Sequence, residues 1–129
     1  MKKPLLLFIF LVLGLILIRT AVSSTLPAKQ PVCQPELLIY WGEGCSHCEN
    51  VKDFISKNNL QDKICLVYKE VFSNQANARE MAENVKNCPE IDSSAAIGVP
   101  LGFDTNSSKC FYGDQPIIDF LSQKFSLRQ

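Results

Sequence analysis

Cys45 and Cys48 lie three positions apart, at the junction of two segments that differ in periodicity. Residues 36–41 (ELLIYW) form a short apolar run with aromatic and β-branched side chains, followed closely by two glycines, which predicts a buried strand. Three apolar side chains recur at helical spacing between residues 46 and 59, which predicts a helix. The cysteine pair is therefore expected to begin a helix at the end of a strand.

The rest of the chain continues this alternation of strands and helices. The further predicted elements are strands at residues 64–71, 101–103 and 109–112 and helices at residues 75–87 and from Asp114 onward. A crossover helix makes the first two strands parallel neighbours, whereas the turn composition of residues 104–107 predicts an antiparallel hairpin. The order βαβαββα thus predicts an α/β sandwich with a central mixed four-stranded sheet.

The last two helices carry specific side-chain assignments. The first of them is predicted to turn an apolar stripe inward, formed by Ala78, Met81, Ala82 and Val85. Asp114 is predicted to cap the final helix, because aspartate side chains accept hydrogen bonds from the free N–H groups of a first turn. The inward side chains of that helix are expected to be Ile117, Ile118, Leu121 and Phe125.

Residues 1–23 are predicted to be a targeting segment rather than part of the fold. Lys2 and Lys3 precede 14 uncharged residues, as in the n-region and h-region of an export signal. Those residues would span roughly 21 Å as a helix, less than the ~30 Å of a bilayer core, which favours a cleaved signal peptide. Arg19, directly after the run, leaves an uncleaved signal anchor open. In both cases the remainder is expected outside the cytoplasm, periplasmic or secreted.

Residues 24–35, with three prolines, are predicted to be a linker, and residues 36–129 a single domain.

The cysteine content of the chain agrees with export. Six cysteines in a chain of 129 residues are typical of an oxidising compartment, where pairs persist as disulfides. The formal net charge is zero, so the chain lacks the basic surplus of a nonspecific nucleic-acid binder.

Taken together, the motifs resemble the thioredoxin/glutaredoxin superfamily over residues 36–125. The resemblance rests on Tyr40-Trp41-Gly42-Glu43-Gly44 at a strand end, Cys45-Ser46-His47-Cys48 opening a helix, and Gly98-Val99-Pro100 before a terminal hairpin and helix. In that family the proline at the position of Pro100 is cis and lies beside the cysteine pair. The backbone of the preceding residue, here Val99, pairs with a bound substrate chain. From the residues alone, Pro100 would be a strand-edge proline.

The position of the pair predicts its chemistry. A thiol at a helix N-terminus faces unpaired N–H groups and the positive end of the helix dipole, so Cys45 is expected to be the nucleophile. Cys48, one turn further along the helix, is expected to resolve the mixed disulfide that Cys45 forms with a client. The alternative is that Cys45–Cys48 is a permanent staple, but so short a loop constrains the unfolded chain little.

His47 is the one histidine of the sequence and stands between the two cysteines. We expect it to be catalytic by stabilising the thiolate, which would make the disulfide a stronger oxidant; the alternative is an exposed residue of little effect. The C-x-H-C centre is similar to that of bacterial periplasmic disulfide oxidases. Those enzymes usually have proline in place of Ser46 and a larger helical insertion that this chain is too short to contain. Ile39 occupies the position of a buried acid in cytosolic thioredoxins.

Three further side chains near the pair have open roles. Glu43 could pass protons in place of the missing acid, or be a solvated loop charge. Trp41 is assigned to an apolar rim that contacts substrate, and Tyr40 could join it, although aromatic residues at a strand end also belong to cores.

The other four cysteines are predicted to be structural. Parallel neighbouring strands place Cys33 and Cys65 near the same sheet edge, within reach of a disulfide. Cys88 and Cys110 then remain as the third pair by elimination, with a second redox pair as the alternative. Asn106-Ser107-Ser108 matches a glycosylation acceptor, which matters only in a eukaryotic secretory pathway.

The leading functional hypothesis is an extracytoplasmic protein-disulfide oxidoreductase that oxidises or isomerises client proteins. One alternative is a thioredoxin-like reductant fed by a membrane electron donor. The other is a non-enzymatic module that binds copper or zinc through Cys45, Cys48 and His47. For the leading hypothesis we expect a monomer with no metal or cofactor beyond the Cys45–Cys48 disulfide. Its partners would be client thiols or disulfides and, for an anchored form, a membrane redox partner.

Overall fold

A computed structural model describes residues 33–92 and 96–127. The predicted targeting segment and most of the linker lie outside these residues. The strands are β1 (Leu37–Trp41), β2 (Leu66–Glu70), β3 (Leu101–Asp104) and β4 (Lys109–Tyr112). The helices are α1 (Ser46–Lys57), α2 (Gln75–Lys86) and α3 (Asp114–Lys124), with a 3₁₀ turn at Leu60–Asp62. In the part of the chain thus described, no helix is long and apolar enough to span a bilayer.

The four strands form one mixed, open sheet in the order β2-β1-β3-β4. β1 and β2 are parallel, with Trp41 opposite Glu70, and β3 is antiparallel to both β1 and β4. The predicted α/β architecture with a mixed four-stranded sheet is therefore confirmed. Because Leu101 lies opposite both Tyr40 and Tyr112, the ends of β1, β2 and β4 and the start of β3 share one edge of the sheet. We call this the site edge.

Alternation along β1 divides the core between the two faces of the sheet. Leu37 and Ile39 pack into a cluster with the inward side chains of α1 and α3. Leu38 and Tyr40 point the other way and pack with Val85 of α2. Every second side chain of a strand faces the same side, so a strand buried on both faces reads as one continuous apolar run. This explains the pattern of residues 36–41.

The inward face of α2 differs from the predicted stripe. Val85 is buried and Ala78 and Met81 are partly buried, but Ala82 is exposed, so that assignment was wrong. In its place, polar side chains reach the sheet: the Tyr40 hydroxyl donates to Glu80 at 3.2 Å and accepts from the Asn84 amide at 2.7 Å. The hydroxyl of a fully buried tyrosine needs such hydrogen-bond partners. Alanine is small and only weakly apolar, so its place in the sequence does not show whether it faces the sheet or the solvent.

The start of α3 also differs from expectation. Gly113 is the N-cap and no side chain caps the helix, so the predicted capping role of Asp114 was wrong. Asp114 is the first helical residue, and its carboxylate accepts hydrogen bonds from α1 instead. The N-cap position, from which a side chain can reach the free N–H groups of the first turn, is occupied by Gly113, which has no side chain. Ile117 and Leu121 are fully buried, whereas Ile118 and Phe125 are only partly so.

Three disulfides bind these elements together. Cys33–Cys65 joins the segments that precede β1 and β2, and Cys88–Cys110 joins the end of α2 to β4. These are the two pairings that the sequence favoured. Cys88 and Cys110 are both buried, at 3% and 5% exposure. The third disulfide, Cys45–Cys48, lies at the site edge.

Candidate redox site at the start of α1

Cys45 is the N-cap residue of α1, with extended backbone geometry. Its Sγ accepts a hydrogen bond from the backbone N–H of Cys48 at 3.1 Å, as the oxygen of a serine or aspartate cap would. The Cα atoms of the two cysteines are 5.2 Å apart and the sulfurs are bonded at 2.05 Å. The first sulfur of the pair therefore stands directly at the positive end of the helix.

The two sulfurs differ in accessibility. Cys45 is partly exposed, whereas Cys48 is 1% exposed and lies one turn inside the helix. The next turn continues inward with Val51, which is completely buried. A molecule approaching from solvent can thus reach Cys45 but not Cys48.

The loop before β3 forms the wall opposite Cys45. The carbonyl oxygen of Val99 lies 3.7 Å from Cys45 Sγ. The Val99–Pro100 peptide bond is cis, and Pro100 is buried while Val99 is partly exposed. The loop is tied to β4, because Gly98 N–H donates to the Tyr112 hydroxyl at 3.3 Å and Gly113 N–H donates to the Pro100 carbonyl at 3.0 Å. These bonds fix the position of the Val99 carbonyl, which faces Cys45 Sγ.

His47 points away from this loop and toward α3. Its Nδ1 lies 3.0 Å from Oδ2 of Asp114, and its side chain is 69% exposed. The Asn50 amide donates to the same oxygen at 2.7 Å. These two hydrogen bonds, the Asn50 bond foremost, lower the pKa of Asp114 to about 2, so the carboxylate stays ionised. Sequence reasoning missed this role of Asp114, because an aspartate in a first helical turn has the pattern of a cap.

Trp41 lies beside α1, at the end of β1. The Lys52 ammonium is 3.7 Å from the centre of its ring and also pairs with Glu49 at 2.8 Å. Trp41 is partly exposed and so remains available at the surface, whereas Tyr40 is fully buried and belongs to the core. Glu43 is exposed on the loop before Cys45. Ile39 is buried among apolar side chains.

An exposed aromatic ring completes the site edge on the β2 side. Phe72 is 66% exposed, and its ring occupies the space that a side chain at Gly42 would need. The turn that presents it is held by Glu70, whose carboxylate accepts from the N–H groups of Phe72 and Ser73 and from the Ser73 hydroxyl. These bonds lower the pKa of Glu70. Phe72 could not be assigned a role from the sequence, because a single aromatic residue in a loop has no periodicity.

No protein family, curated protein or solved structure matches this chain significantly. Among the residues that the structure describes, no group of three or more histidine, cysteine or acidic side chains is arranged to hold a metal ion.

Proposed function

We propose that this chain is an extracytoplasmic thiol-disulfide oxidoreductase with a thioredoxin-like fold, in which Cys45 exchanges disulfides with client proteins and Cys48 resolves the intermediate. The observation that carries the proposal is the asymmetry of the pair: a partly exposed sulfur at a helix N-terminus is bonded to a buried one. A structural disulfide has no need of an accessible sulfur. An exchange enzyme requires one, together with a second sulfur that only the first can reach.

The electrostatics of the helix start support the role of Cys45. After the disulfide opens, a thiolate at Cys45 would keep the N–H of Cys48 as a donor and would lie at the positive end of the α1 dipole. Both interactions favour the thiolate over the thiol, and the thiolate is the species that attacks a disulfide.

In the oxidising direction, a client thiolate attacks Sγ of Cys45. A client–Cys45 disulfide forms, the Cys45–Cys48 bond breaks, and Cys48 leaves as a thiolate that takes up a proton. A second client thiolate then attacks the client sulfur of this mixed disulfide, and Cys45 leaves as a thiolate. Two electrons pass from the client to the cysteine pair, and the client gains a disulfide. The reverse sequence reduces a client.

The surroundings of Cys45 support a peptide substrate. The Val99 carbonyl beside the sulfur, preceding a cis proline, is the arrangement that the resemblance to thioredoxins implies for pairing with a client backbone. Trp41 and Phe72 offer apolar surface at the same edge of the sheet. Three disulfides in a small domain are consistent with an extracytoplasmic location.

The trapping of a mixed disulfide tests the proposal. With Cys48→Ser, Cys45 has no resolving partner, so a peptide carrying one activated disulfide is expected to remain covalently attached to Cys45. Cys45→Ser is the matched control and should give no adduct, because Cys48 is buried. Mass spectrometry of the full chain measures both. An adduct at Cys48 in the control, or none at Cys45, would contradict the assigned roles.

A further inference from the structure

We propose that Asp114 is a positioning residue, which holds the His47 imidazole against α3 and away from Cys45 and so keeps the Cys45–Cys48 disulfide a weaker oxidant than it would otherwise be. This inference rests on the proposed exchange activity and identifies how that activity is tuned. It also reverses the simplest expectation for a histidine between two cysteines, which is that it stabilises the thiolate by direct contact.

The first observation is the position of the His47 imidazole. Its Nδ1 contacts Asp114 Oδ2 at 3.0 Å, although the side chain is 69% exposed and has free space around it. The Asn50 amide donates to the same oxygen at 2.7 Å and so helps to hold the Asp114 carboxylate in place. An exposed ring held at hydrogen-bond distance by an anchored acceptor has a defined orientation.

The second observation is the geometry of the helix. Residues three apart on a helix share a face, whereas residues two apart do not. His47 and Asn50 therefore point together toward α3. Cys45 lies two positions before His47 and faces Val99, on another side of the helix start.

The charge of Asp114 acts on the Cys45 thiolate in the same direction as the position of the imidazole. Asp114 is ionised, and its negative charge lies beside the first turn of α1, where the dipole would otherwise favour a thiolate most. A freed imidazole could instead turn toward Cys45 and, when protonated, stabilise its thiolate. A more stable thiolate favours the reduced form and makes the disulfide a stronger oxidant. The Asp114–His47 contact opposes this.

Measurement of the Cys45–Cys48 equilibrium with glutathione tests the proposal in the full chain. Asp114→Asn is expected to shift that equilibrium three- to tenfold toward the reduced enzyme, or about 15–30 mV for a two-electron couple. Asp119→Asn removes the same charge from the same helix, where the carboxylate accepts from Gln115 at 2.8 Å, and should leave the equilibrium unchanged. Thermal unfolding of both variants establishes that each is folded.

A His47→Gln background separates positioning from a simple charge effect. If Asp114 acts mainly through the imidazole, the shift caused by Asp114→Asn should be clearly smaller once His47 is absent, and the remainder is the direct effect of its charge. An undiminished shift in that background, no shift in the single variant, or a shift toward the oxidised form would each overturn the proposal.

A second readout does not depend on redox activity. The chain has one histidine, so its imidazole nitrogen signals in an NMR spectrum are unambiguous. Asp114→Asn should change the Nδ1 signal, and identical signals in both proteins would show that the contact is absent. If the contact is present but Cys45–Cys48 never exchanges with glutathione, the proposed function itself has failed, and the tuning role fails with it.

Discussion

At the scale of single residues, the candidate site lies in the first turn of α1. Cys45 faces the loop before β3, Cys48 is buried behind it, and His47 faces a different helix. Three side chains within four consecutive residues thus face three different parts of the structure, because each step along a helix rotates the side chain by about a quarter to a third of a circle.

The ionisation of Asp114 predicts an acid-dependent loss of stability. Its folded-state pKa of about 2 lies below the usual 3.8, so the folded chain binds fewer protons than the unfolded chain between these values. The stabilisation is therefore present above about pH 4 and is lost as the pH falls toward 2. Relative to Asp114→Asn, the wild-type protein should be more stable at about pH 5 by less than about 1 kcal/mol, since the pair is near the surface.

Urea unfolding at several pH values measures that difference. It should shrink as the pH falls toward 2. Asp53→Asn is the charge-matched control, because Asp53 is exposed and its cation Lys57 lies 4.0 Å away. A difference between wild type and Asp114→Asn that does not change with pH would contradict the assignment.

At the scale of elements, the packing of α3 on the sheet determines where Asp114 stands. Gly102 of β3 lies directly under α3, and a Cβ atom there would be 3.1 Å from Cγ1 of Ile117. Both residues are buried, so α3 approaches the bare backbone closely. The glycine thus sets the distance between the helix and the sheet.

Gly102→Ala is accordingly expected to destabilise the protein by about 1–3 kcal/mol, the usual cost of overpacking a core. Gly98→Ala is the control, because its nearest neighbour would be an ordinary 3.5 Å contact with the Tyr112 hydroxyl. Urea unfolding measures both changes. In an Ile117→Ala background the cost of Gly102→Ala should fall, and an unchanged cost there would show that the helix contact is not the cause.

The docking of α2 gives another prediction at this scale. Tyr40→Phe removes the hydroxyl that joins Glu80 and Asn84 to the sheet, and should cost about 0.5–1.5 kcal/mol. Tyr68→Phe, at a side chain that is 41% exposed, should change stability less. Hydrogen exchange of the α2 amides is expected to increase in the first variant only. Equal effects of the two substitutions would argue against the network.

Much of this arrangement could be predicted from the sequence, for reasons that are local. The strand at residues 36–41, the helix after Cys45 and the hairpin before α3 follow from apolar periodicity and turn composition, which short segments carry in themselves. The contact between His47 and Asp114 could not be predicted, because it joins residues 67 positions apart. The polar face of α2 was missed for the same reason, since its partner Tyr40 belongs to a different element.

At the scale of the whole molecule, the three disulfides differ in what they do for stability. Cys33–Cys65 and Cys88–Cys110 close loops of 32 and 22 positions, whereas Cys45–Cys48 spans three. Loop-closure entropy assigns about 3–4 kcal/mol to each of the long loops and about 2 kcal/mol to the short one. Of the three disulfides, the two outside the candidate site are therefore expected to contribute most to stability.

Replacement of one long-loop disulfide tests this expected difference in stabilisation. Cys88→Ala with Cys110→Ala should lower the free energy of unfolding by about 3–4 kcal/mol. Cys45→Ala with Cys48→Ala is the matched control and should cost less, because its loop is short. Urea unfolding of the full chain measures both double variants. A larger loss from the second double variant would make Cys45–Cys48 a structural bond.

The most direct test of the central claim is to equilibrate the full chain in graded glutathione buffers and to identify each free thiol by alkylation and mass spectrometry. We predict that Cys45 and Cys48 open together at about −120 to −180 mV, in the range of oxidants and isomerases, while the other four cysteines stay paired. A potential near −270 mV would contradict the oxidising direction and favour the reductant. If Cys45 and Cys48 opened only when Cys33, Cys65, Cys88 and Cys110 did, the pair would be structural and the proposed function would be wrong.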